Sequence, residues 1–383
     1  MITIRNTDGI TNRGSLVRMK KLMQRAAAGE KLTIGFLGGS ITQGSLASEP
    51  ELCYAHRVFT WWEKTFPKSE FTYLNAGIGA TDSQFGCARA EEDLLDYRPD
   101  FVILEFSVND MATEHYLETY EGLARKLLAA PSEPAVLIVH NVCYDNGSSA
   151  QLMHAKIARH YELPAISMQS TIYPELLSGR VENRMITPDD LHPNDEGHRL
   201  VASVITNGLE TFRRDMDEPE KAPDWMNADG SLLKLPAPIT ANAYEDSVRY
   251  RNDRAAEGKV CCDDFEADKE AQGHITDIFK KGWTASRKGA SLEMTVSGSC
   301  IGVQYRKTKE LPAPVATLVI DGDETHAKLL DANFDETWGD KLVLDTVLEH
   351  GAPGPHTVRI TLTETHPEDR LPFYLVSVIS SGR

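Results

Sequence analysis

Three side chains in the sequence have the chemical types of a nucleophile, a base and a group that orients the base. Ser40 follows two glycines, which let the backbone turn sharply and leave the hydroxyl accessible. A serine hydroxyl is a weak nucleophile until a base accepts its proton. His192 lies three residues after Asp189, so the carboxylate can hold one imidazole nitrogen while the other faces Ser40. The pattern indicates acyl transfer; taken alone, a turn serine and a surface histidine before a helix cap are the alternatives.

An acyl-transfer site also needs hydrogen-bond donors for the oxyanion that develops on the carbonyl oxygen. Gly79, in NAGIGAT, can present a backbone N–H where a side chain would obstruct the substrate, and Asn109, in SVND, can present its amide. An ordinary glycine-rich loop and a helix-capping asparagine are the structural alternatives. Gly39 is expected to leave room for the acyl group, and Asp110, directly after Asn109, is a further candidate for substrate binding.

Short apolar runs place these residues at the ends of strands. The runs cover residues 32–37, 71–74, 101–106, 135–139 and 164–168, and helical patterns cover residues 16–28, 55–66, 84–97, 116–129, 150–161 and 195–214. Strands and helices in alternation predict right-handed crossovers and therefore a three-layer α/β/α domain with a parallel sheet, over residues 1–217. In such sheets the functional site lies beyond the carboxyl ends of the strands.

The composition changes after this region. Residues 218–240 are rich in charge and proline, which predicts a linker between domains. Beyond it, runs of alternating or β-branched residues are separated by Gly, Pro and Asp turns; they cover residues 291–296, 301–305, 316–320, 357–362 and 374–379. This spacing predicts a β-sandwich, jelly-roll-like, over residues 241–383.

Four blocks stand in a fixed chain order: Ser40 after the first strand, Gly79 after the second, Asn109 after the third, and the Asp189–His192 pair before the last helix. This order resembles the SGNH (GDSL-like) hydrolase superfamily over roughly residues 31–215. Two departures stand out. The first block reads GGSIT rather than GDS, and Ser107 stands where the superfamily usually has glycine.

The resemblance implies a role for each residue of the four blocks. Ser40 would be the nucleophile and, through its backbone N–H, one oxyanion donor beside Gly79 and Asn109. His192 would act as general base and then as general acid, oriented by Asp189. Asp190 is the backup for the orienting role. The mechanism implied proceeds through an acyl-enzyme and needs no metal or other cofactor.

An α/β esterase domain followed by a β-sandwich also resembles two-domain carbohydrate O-acetylesterases of the acetylmannan esterase type, whose second domain is similar to a carbohydrate-binding module. That resemblance implies an acetylated oligosaccharide as substrate, with manno-oligosaccharides as the nearest case. Trp338 is flanked by Thr, Gly and Asp, which is typical of a loop, and aromatic faces stack on sugars. We therefore expect Trp338 to bind the sugar near Ser40; a core or interface position is the alternative.

Competing functions are left open by the sequence. A lipase-like or thioesterase member of the superfamily would prefer longer acyl chains. A catalytically silent sugar-binding protein would bind saccharides without ester turnover, and a transferase would pass the same acyl group to a sugar hydroxyl instead of water.

Composition limits the partners. The formal net charge is −17, which disfavours nucleic acid and anionic membranes as ligands. The first residues, MITIRNTDGITNRGS, have no signal-peptide pattern, and the six cysteines show no CxxC spacing. We therefore expect a cytoplasmic protein with reduced thiols that acts on imported oligosaccharides. The oligomeric state is left open, a homo-oligomer included.

Overall fold

The computed structural model describes residues 2–254, 260–336 and 338–383, and its internal contacts divide the chain into two units, Met1–Asn242 and Ala243–Arg383. The segment 218–240, predicted to be a linker, contacts the first unit. Arg18 Nε donates to the carbonyl oxygen of Gly230 at 2.9 Å, and the buried Glu121 carboxylate accepts from the backbone N–H of Thr240 at 2.9 Å. The division therefore falls at the C-terminal end of that segment.

The first unit alternates strands and helices. Its described strands are β1 (Ile10–Asn12), β2 (Lys31–Gly38), β3 (Glu70–Gly77), β4 (Phe101–Glu105), β5 (Ala135–His140) and β6 (Ala165–Ser167). Its described helices are α1 (Val17–Ala28), α2 (Ser40–Gln43), α3 (Tyr54–Thr65), α4 (Ser83–Asp93), α5 (Glu114–Leu128), α6 (Gln151–His160), α7 (Ile172–Leu177), α8 (Asn183–Ile186) and α9 (Asp195–Arg214).

These strands form one sheet in the order β1-β6-β5-β4-β2-β3. Strands β2 to β6 pair in parallel, whereas β1 pairs antiparallel with β6. All of β4 and β5 is buried, as expected for strands covered by helices on both faces. The chain reverses its direction of progress through the sheet at β2, since β3 and β4 lie on either side of it. The carboxyl end of β2 is therefore the expected place for a site.

The predicted α/β architecture is confirmed. Each predicted strand corresponds to one of β2 to β6, and each predicted helix to one of α1, α3, α4, α5, α6 and α9. Strand β1 and helices α2, α7 and α8 were not predicted, because segments of three to six residues are too short to show a period.

Among its described residues, the second unit consists of β-strands and one short 3₁₀ helix, Glu324–His326. Its strands are β7 (Val248–Tyr250), β8 (Val260–Asp263), β9 (Glu266–Ala267), β10 (Trp283–Ala285), β11 (Ser291–Ser297), β12 (Cys300–Lys307), β13 (Val315–Ile320), β14 (Lys328–Asp331), β15 (Lys341–Leu348), β16 (Pro355–Glu364) and β17 (Phe373–Ser381). One antiparallel sheet has the order β15-β12-β17-β10-β9, with β7 also on β17, and the other has the order β14-β13-β16-β11-β8.

The two sheets of the second unit share one apolar core. In β11, Leu292, Met294 and Val296 are buried whereas the residues between them are exposed, which is the period of a strand with one wet face. These side chains belong to the same cluster as Val303 of β12 and Leu375 of β17 in the opposite sheet. The predicted β-rich C-terminal region is therefore confirmed as two facing sheets.

None of the helices in the described ranges is long and apolar enough to cross a lipid bilayer.

Candidate active site

Helix α2 holds Ser40 against the carboxyl end of the sheet. A Cβ on Gly38 would lie 2.3 Å from Thr42 Oγ1 and 2.4 Å from the carbonyl oxygen of Glu105, and a Cβ on Gly77 would lie 2.2 Å from the backbone nitrogen of Gln43. Side chains at these two glycines would therefore push the helix off the strand ends. Their absence brings Ser40, the first residue of α2, directly onto the sheet edge.

The nucleophile, base and orienting group predicted from the sequence are hydrogen-bonded in series. Ser40 Oγ lies 2.8 Å from His192 Nε2, and His192 Nδ1 lies 2.6 Å from Asp189 Oδ2. The other carboxylate oxygen, Asp189 Oδ1, accepts from the backbone N–H of His192 at 2.7 Å and of Leu191 at 3.1 Å. This is the geometry in which a base can take the serine proton while a carboxylate stabilises the resulting imidazolium.

The environment of Asp189 keeps it ionised. Partial burial acts to raise the pKa of its carboxyl, but the hydrogen bonds from the His192 side chain and from the backbone of His192 and Leu191 outweigh burial. The net result is a pKa below the ordinary value. Asp189 is therefore a carboxylate at neutral pH and can accept a proton-bearing Nδ1.

Asp190 is turned away from the imidazole, so the structure does not give it the backup orienting role. Its carboxylate oxygens each accept from Arg184, at 2.7 Å, and Oδ1 also accepts from Asn183 Nδ2 at 2.8 Å. Its carbonyl oxygen accepts from the backbone of Tyr144 at 2.7 Å. Asp190 thus fixes the loop that carries Asp189 and leaves the contact with the imidazole to its neighbour.

Gly79 and Asn109 both lie beside the nucleophile. A Cβ on Gly79 would be 3.6 Å from Ser40 Cβ, and the Gly79 N–H donates to Gln43 Oε1 at 2.6 Å. A Cβ on Gly39 would lie 2.2 Å from Asn109 Oδ1, so the Asn109 amide packs directly on the backbone that precedes Ser40. The structure thus brings the predicted oxyanion donors to one place.

Gly39 and Asp110, predicted to bind substrate, have other contacts. Gly39 is buried against the Asn109 amide. The Asp110 side chain is fully buried; its Oδ1 accepts from the backbone of Ser83 at 2.9 Å, and its Oδ2 lies 2.9 Å from His154 Nε2. The prediction of Asp110 as a substrate contact is therefore wrong: the side chain points into the protein and fixes the Asn109 loop.

Burial disfavours the charged form of both members of the Asp110–His154 pair. The His154 ring stacks on Tyr120 with 3.5 Å between ring centroids. Burial lowers the pKa of His154 to about 3 and raises the pKa of the Asp110 carboxyl to about 7. A neutral imidazole can still donate from Nε2 to Asp110, so the pair does not need a buried ion pair.

Two residues that were not predicted from the sequence also support the site. Glu105, the last residue of β4, is fully buried, and its Oε1 accepts from the backbone and hydroxyl of Ser107 at 3.0 and 2.8 Å. Burial raises the pKa of the Glu105 carboxyl to about 7. This contact explains why serine can stand at position 107. The sequence did contain a signal for Glu105: it is an acidic residue within the apolar run FVILEF, and a buried carboxyl group needs hydrogen-bond partners.

Arg89 is the second residue that supports the site and was not predicted. Its guanidinium, fully buried, donates to the carbonyl oxygens of Ala76 at 2.7 Å and Gly38 at 3.0 Å, and it pairs with Asp93 at 3.1 Å. Arg89 therefore ties together the strand ends that precede Gly79 and Ser40. The sequence offered no signal for this, because an arginine on a helix is ordinarily exposed.

Trp338, predicted to bind sugar, lies in the second unit on a segment outside the strands. Its side chain is 57% exposed. Its Nε1 donates to Glu336 at 2.6 Å, and its ring meets Phe334 edge-on at 5.3 Å between centroids. The core position considered as an alternative is thereby excluded. Its sugar contact stays a prediction.

No group of three or more His, Cys, Asp or Glu side chains in the described ranges is arranged to hold a metal ion.

Residues 36–200 match the model of the GDSL-like Lipase/Acylhydrolase family. Thioesterase 1/protease 1/lysophospholipase L1 of Escherichia coli (strain K12) is 25% identical over 196 residues, which cover 49% of this chain and 86% of that protein.

Two solved structures are similar over the whole chain. A two-domain esterase (CEX) active on acetylated mannans is 61% identical, with a TM-score of 0.94, and the match covers 100% of this chain and 99% of that one. The structure of a two-domain esterase (CEX) co-crystallised with mannopentaose is 60% identical, with a TM-score of 0.93 and the same coverage.

Proposed function

Because the chain belongs to the GDSL-like lipase/acylhydrolase family, we propose that it is a serine esterase that removes O-acetyl groups from mannose-containing oligosaccharides. The observation that carries the proposal is 61% identity, along the whole chain, to a two-domain esterase active on acetylated mannans. The hydrogen-bonded series Ser40–His192–Asp189 supports ester hydrolysis through a serine nucleophile.

In the first step of the proposed mechanism, Ser40 Oγ attacks the acetyl carbonyl carbon and its proton passes to His192 Nε2. The negative charge on the carbonyl oxygen is stabilised by N–H donors from Ser40, Gly79 and Asn109. The bond between the acetyl carbonyl carbon and the sugar oxygen then breaks, and His192 returns the proton to that oxygen as it departs. Acetyl-Ser40 and a free sugar hydroxyl are the products of this half-reaction.

In the second step, His192 removes a proton from water, which attacks the carbonyl carbon of acetyl-Ser40. The bond between that carbon and Ser40 Oγ breaks, His192 returns the proton to Oγ, and acetic acid leaves and ionises to acetate. Asp189 keeps the imidazole in the tautomer and orientation that both steps need. A sugar hydroxyl that replaced water would give acetyl transfer by the same intermediate. Hydrolysis is the reaction proposed, since it needs water and no second sugar as acceptor of the acetyl group.

The substrate class is tested by acyl-chain length and by sugar together. We expect acetate release from acetylated manno-oligosaccharides, activity on 4-nitrophenyl acetate that falls steeply for butyrate and octanoate, and loss of both activities in Ser40→Ala. Ser45→Ala, a hydroxyl in the following loop, is the matched control and should retain activity. A preference for octanoate would move the substrate to lipid or thioester acyl chains, and turnover surviving in Ser40→Ala would overturn the nucleophile.

We also propose that the protein acts in the cytoplasm on imported oligosaccharides. All six cysteines are free thiols, which supports a reducing compartment. Cell fractionation with an antibody to the protein tests this; recovery from the medium or envelope would contradict it.

A further inference from the structure

A hydrogen-bond acceptor from the protein itself already occupies one donor of the proposed oxyanion hole. The backbone N–H of Gly79 donates to Gln43 Oε1 at 2.6 Å, which is short for an N–H···O bond. Since the backbone nitrogen can only donate, the atom facing it must be the carboxamide oxygen and not the nitrogen. A single N–H makes one strong hydrogen bond, so this donor cannot serve Gln43 and a substrate oxygen together.

The position of Gln43 follows from helix α2. Gln43 stands three residues after Ser40 in that helix, so the two side chains lie on the same face. A Cβ on Gly79 would be 3.0 Å from Gln43 Oε1 and 3.6 Å from Ser40 Cβ. The carboxamide oxygen and Ser40 Cβ therefore both lie within 4 Å of one point beside Gly79, the proposed oxyanion donor.

The two side-chain amides of the site differ in their freedom. The Asn109 amide is packed against the Gly39 backbone, with its Oδ1 buried. The Gln43 side chain is exposed and has three rotatable bonds, so it can turn away without moving the backbone. The site thus combines a fixed donor, the Asn109 amide, with the Gly79 N–H, a donor that is occupied by the movable Gln43 side chain.

From this arrangement we infer that Gln43 is a reversible occupant of the oxyanion hole, which holds the Gly79 N–H until an acyl oxygen displaces it. The inference rests on the proposed function and deepens it. A neutral carboxamide oxygen is a weaker acceptor than an oxyanion, because charge-assisted hydrogen bonds are roughly twice as strong. Gln43 therefore competes well with the neutral ester carbonyl of the ground state and less well with the oxyanion of the transition state. Catalysis depends on this difference, because only interactions that are stronger in the transition state accelerate the reaction.

Gln43→Met tests the inference, because methionine keeps the length of the side chain and removes the acceptor. A net hydrogen bond of ordinary strength corresponds to a factor of about two to ten. We expect kcat/KM for 4-nitrophenyl acetate and for acetylated manno-oligosaccharides to rise by that factor, chiefly through a lower KM. If Gln43 merely held the Gly79 loop in place, kcat/KM would instead fall through kcat. A fall, or no change, overturns the inference.

Methylboronic acid gives a readout that does not depend on turnover. Ser40 Oγ adds to the electron-poor boron, the hydroxyl proton passes to His192, and a boronate oxygen with negative charge enters the oxyanion hole. We expect the inhibition constant to fall about two- to tenfold in Gln43→Met. An unchanged or higher inhibition constant overturns the inference.

Gln43→Glu provides the opposite test, since a carboxylate would bind the Gly79 N–H more tightly and repel the oxyanion. We expect kcat/KM to fall by about tenfold or more and boronate binding to weaken in parallel. The control is Gln24→Glu, the same change in charge on the exposed face of α1, where Gln24 donates to the carbonyl oxygen of Met216; it should leave kcat/KM unchanged. Equal effects of the two variants overturn the inference.

Failure of this inference can be told apart from failure of the proposed function. If the wild type releases no acetate from the oligosaccharides, or if Ser40→Ala is active, the proposed function fails whatever the Gln43 variants do. If the wild type is active and depends on Ser40, the Gln43 variants report on the occupied N–H alone.

Discussion

At the residue scale, the site depends on side chains whose partners differ greatly in distance along the chain. Asp189 and His192 are three residues apart and share one loop, so their pairing could be predicted from spacing. Asp110 could not be predicted correctly, because its direction is set by His154, 44 residues further along. Spacing identifies neighbours in the sequence, whereas burial and distant partners decide whether a polar side chain faces the substrate or the interior.

Replacing each of the two adjacent carboxylates separately distinguishes the residue that orients His192 from the residue that supports the loop. Asp189→Asn should lower kcat by about a hundredfold or more, because an amide cannot stabilise the imidazolium of His192. Asp190→Asn, the matched control, weakens the contact with Arg184 and should lower kcat by less than about tenfold, since that pair is exposed. Steady-state kinetics on 4-nitrophenyl acetate measures both; equal losses would contradict the assignment of the orienting role to Asp189.

Glu105 makes folding stability depend on pH. Burial raises the pKa of its carboxyl to about 7 in the folded protein, whereas in the unfolded chain the pKa is about 4.3. Between these values the folded state binds the extra proton, so stability is greatest below the unfolded pKa and falls as pH rises towards 7. Asp110 contributes in the same direction, and His154, whose pKa is lowered to about 3, contributes in the opposite direction below about pH 6.5.

Glu105→Gln separates the contribution of Glu105 to the pH dependence of stability from the contributions of Asp110 and His154. The amide oxygen can still accept from Ser107, but it does not titrate. Relative to the wild type, we expect the variant to gain on the order of 2 kcal/mol of unfolding free energy between pH 5 and pH 8. Urea unfolding at the two pH values measures the difference, and a relative gain at pH 5 rather than pH 8 would contradict the raised pKa.

At the element scale, buried strands and long amphipathic helices could be predicted because their periods extend over enough residues. The four-residue helix α2 could not, although it carries Ser40 and Gln43. Its position depends on glycines at the ends of β2 and β3 and on Arg89 of α4, which come from three separate parts of the sequence. Short elements that form functional sites are specified by such contacts rather than by a local pattern.

Arg89→Met should impair both stability and catalysis. Methionine fills much of the space but leaves the carbonyl oxygens of Ala76 and Gly38 without their buried donor. We expect a loss of about 2–5 kcal/mol in the free energy of unfolding and a lower kcat at temperatures where the variant is folded. Arg89→Lys retains one cationic donor group, so its stability and kcat should lie between those of the wild type and Arg89→Met. Unaltered kcat and stability in Arg89→Met would show that Arg89 does not fix the strand ends.

At the scale of the whole molecule, the change of pattern from α/β to all-β was visible in the sequence, because the spacing of turns changes along with the strand period. The segment 218–240 was predicted to be a linker from its proline and charge alone. Its contacts with the first unit, through Arg18 and Glu121, come from side chains more than a hundred residues away. Composition therefore identified the change of architecture but not which unit this segment joins.

The second unit offers its own test of sugar recognition. Trp338 is 57% exposed, and Trp338→Ala should raise KM for acetylated manno-oligosaccharides several-fold, since aromatic side chains provide large contact area. KM for 4-nitrophenyl acetate should not change. Leu329→Ala, another exposed apolar residue of this unit at 69% exposure, is the control. Equal KM values for wild type and Trp338→Ala on the oligosaccharide would remove Trp338 from the substrate site.

Ser40 is expected to carry the acetyl group during deacetylation of a manno-oligosaccharide. A direct measurement is titration of the wild type with 4-nitrophenyl methylphosphonate, in which Ser40 Oγ bonds to phosphorus and 4-nitrophenolate leaves irreversibly. We predict that acetate release from acetylated manno-oligosaccharides falls in proportion to labelling, that one phosphonyl group per chain is found on the peptide containing Ser40, and that the oligosaccharide slows the labelling. Deacetylation that persists after complete labelling of Ser40, or inactivation by a label on another residue, would show that Ser40 is not the nucleophile.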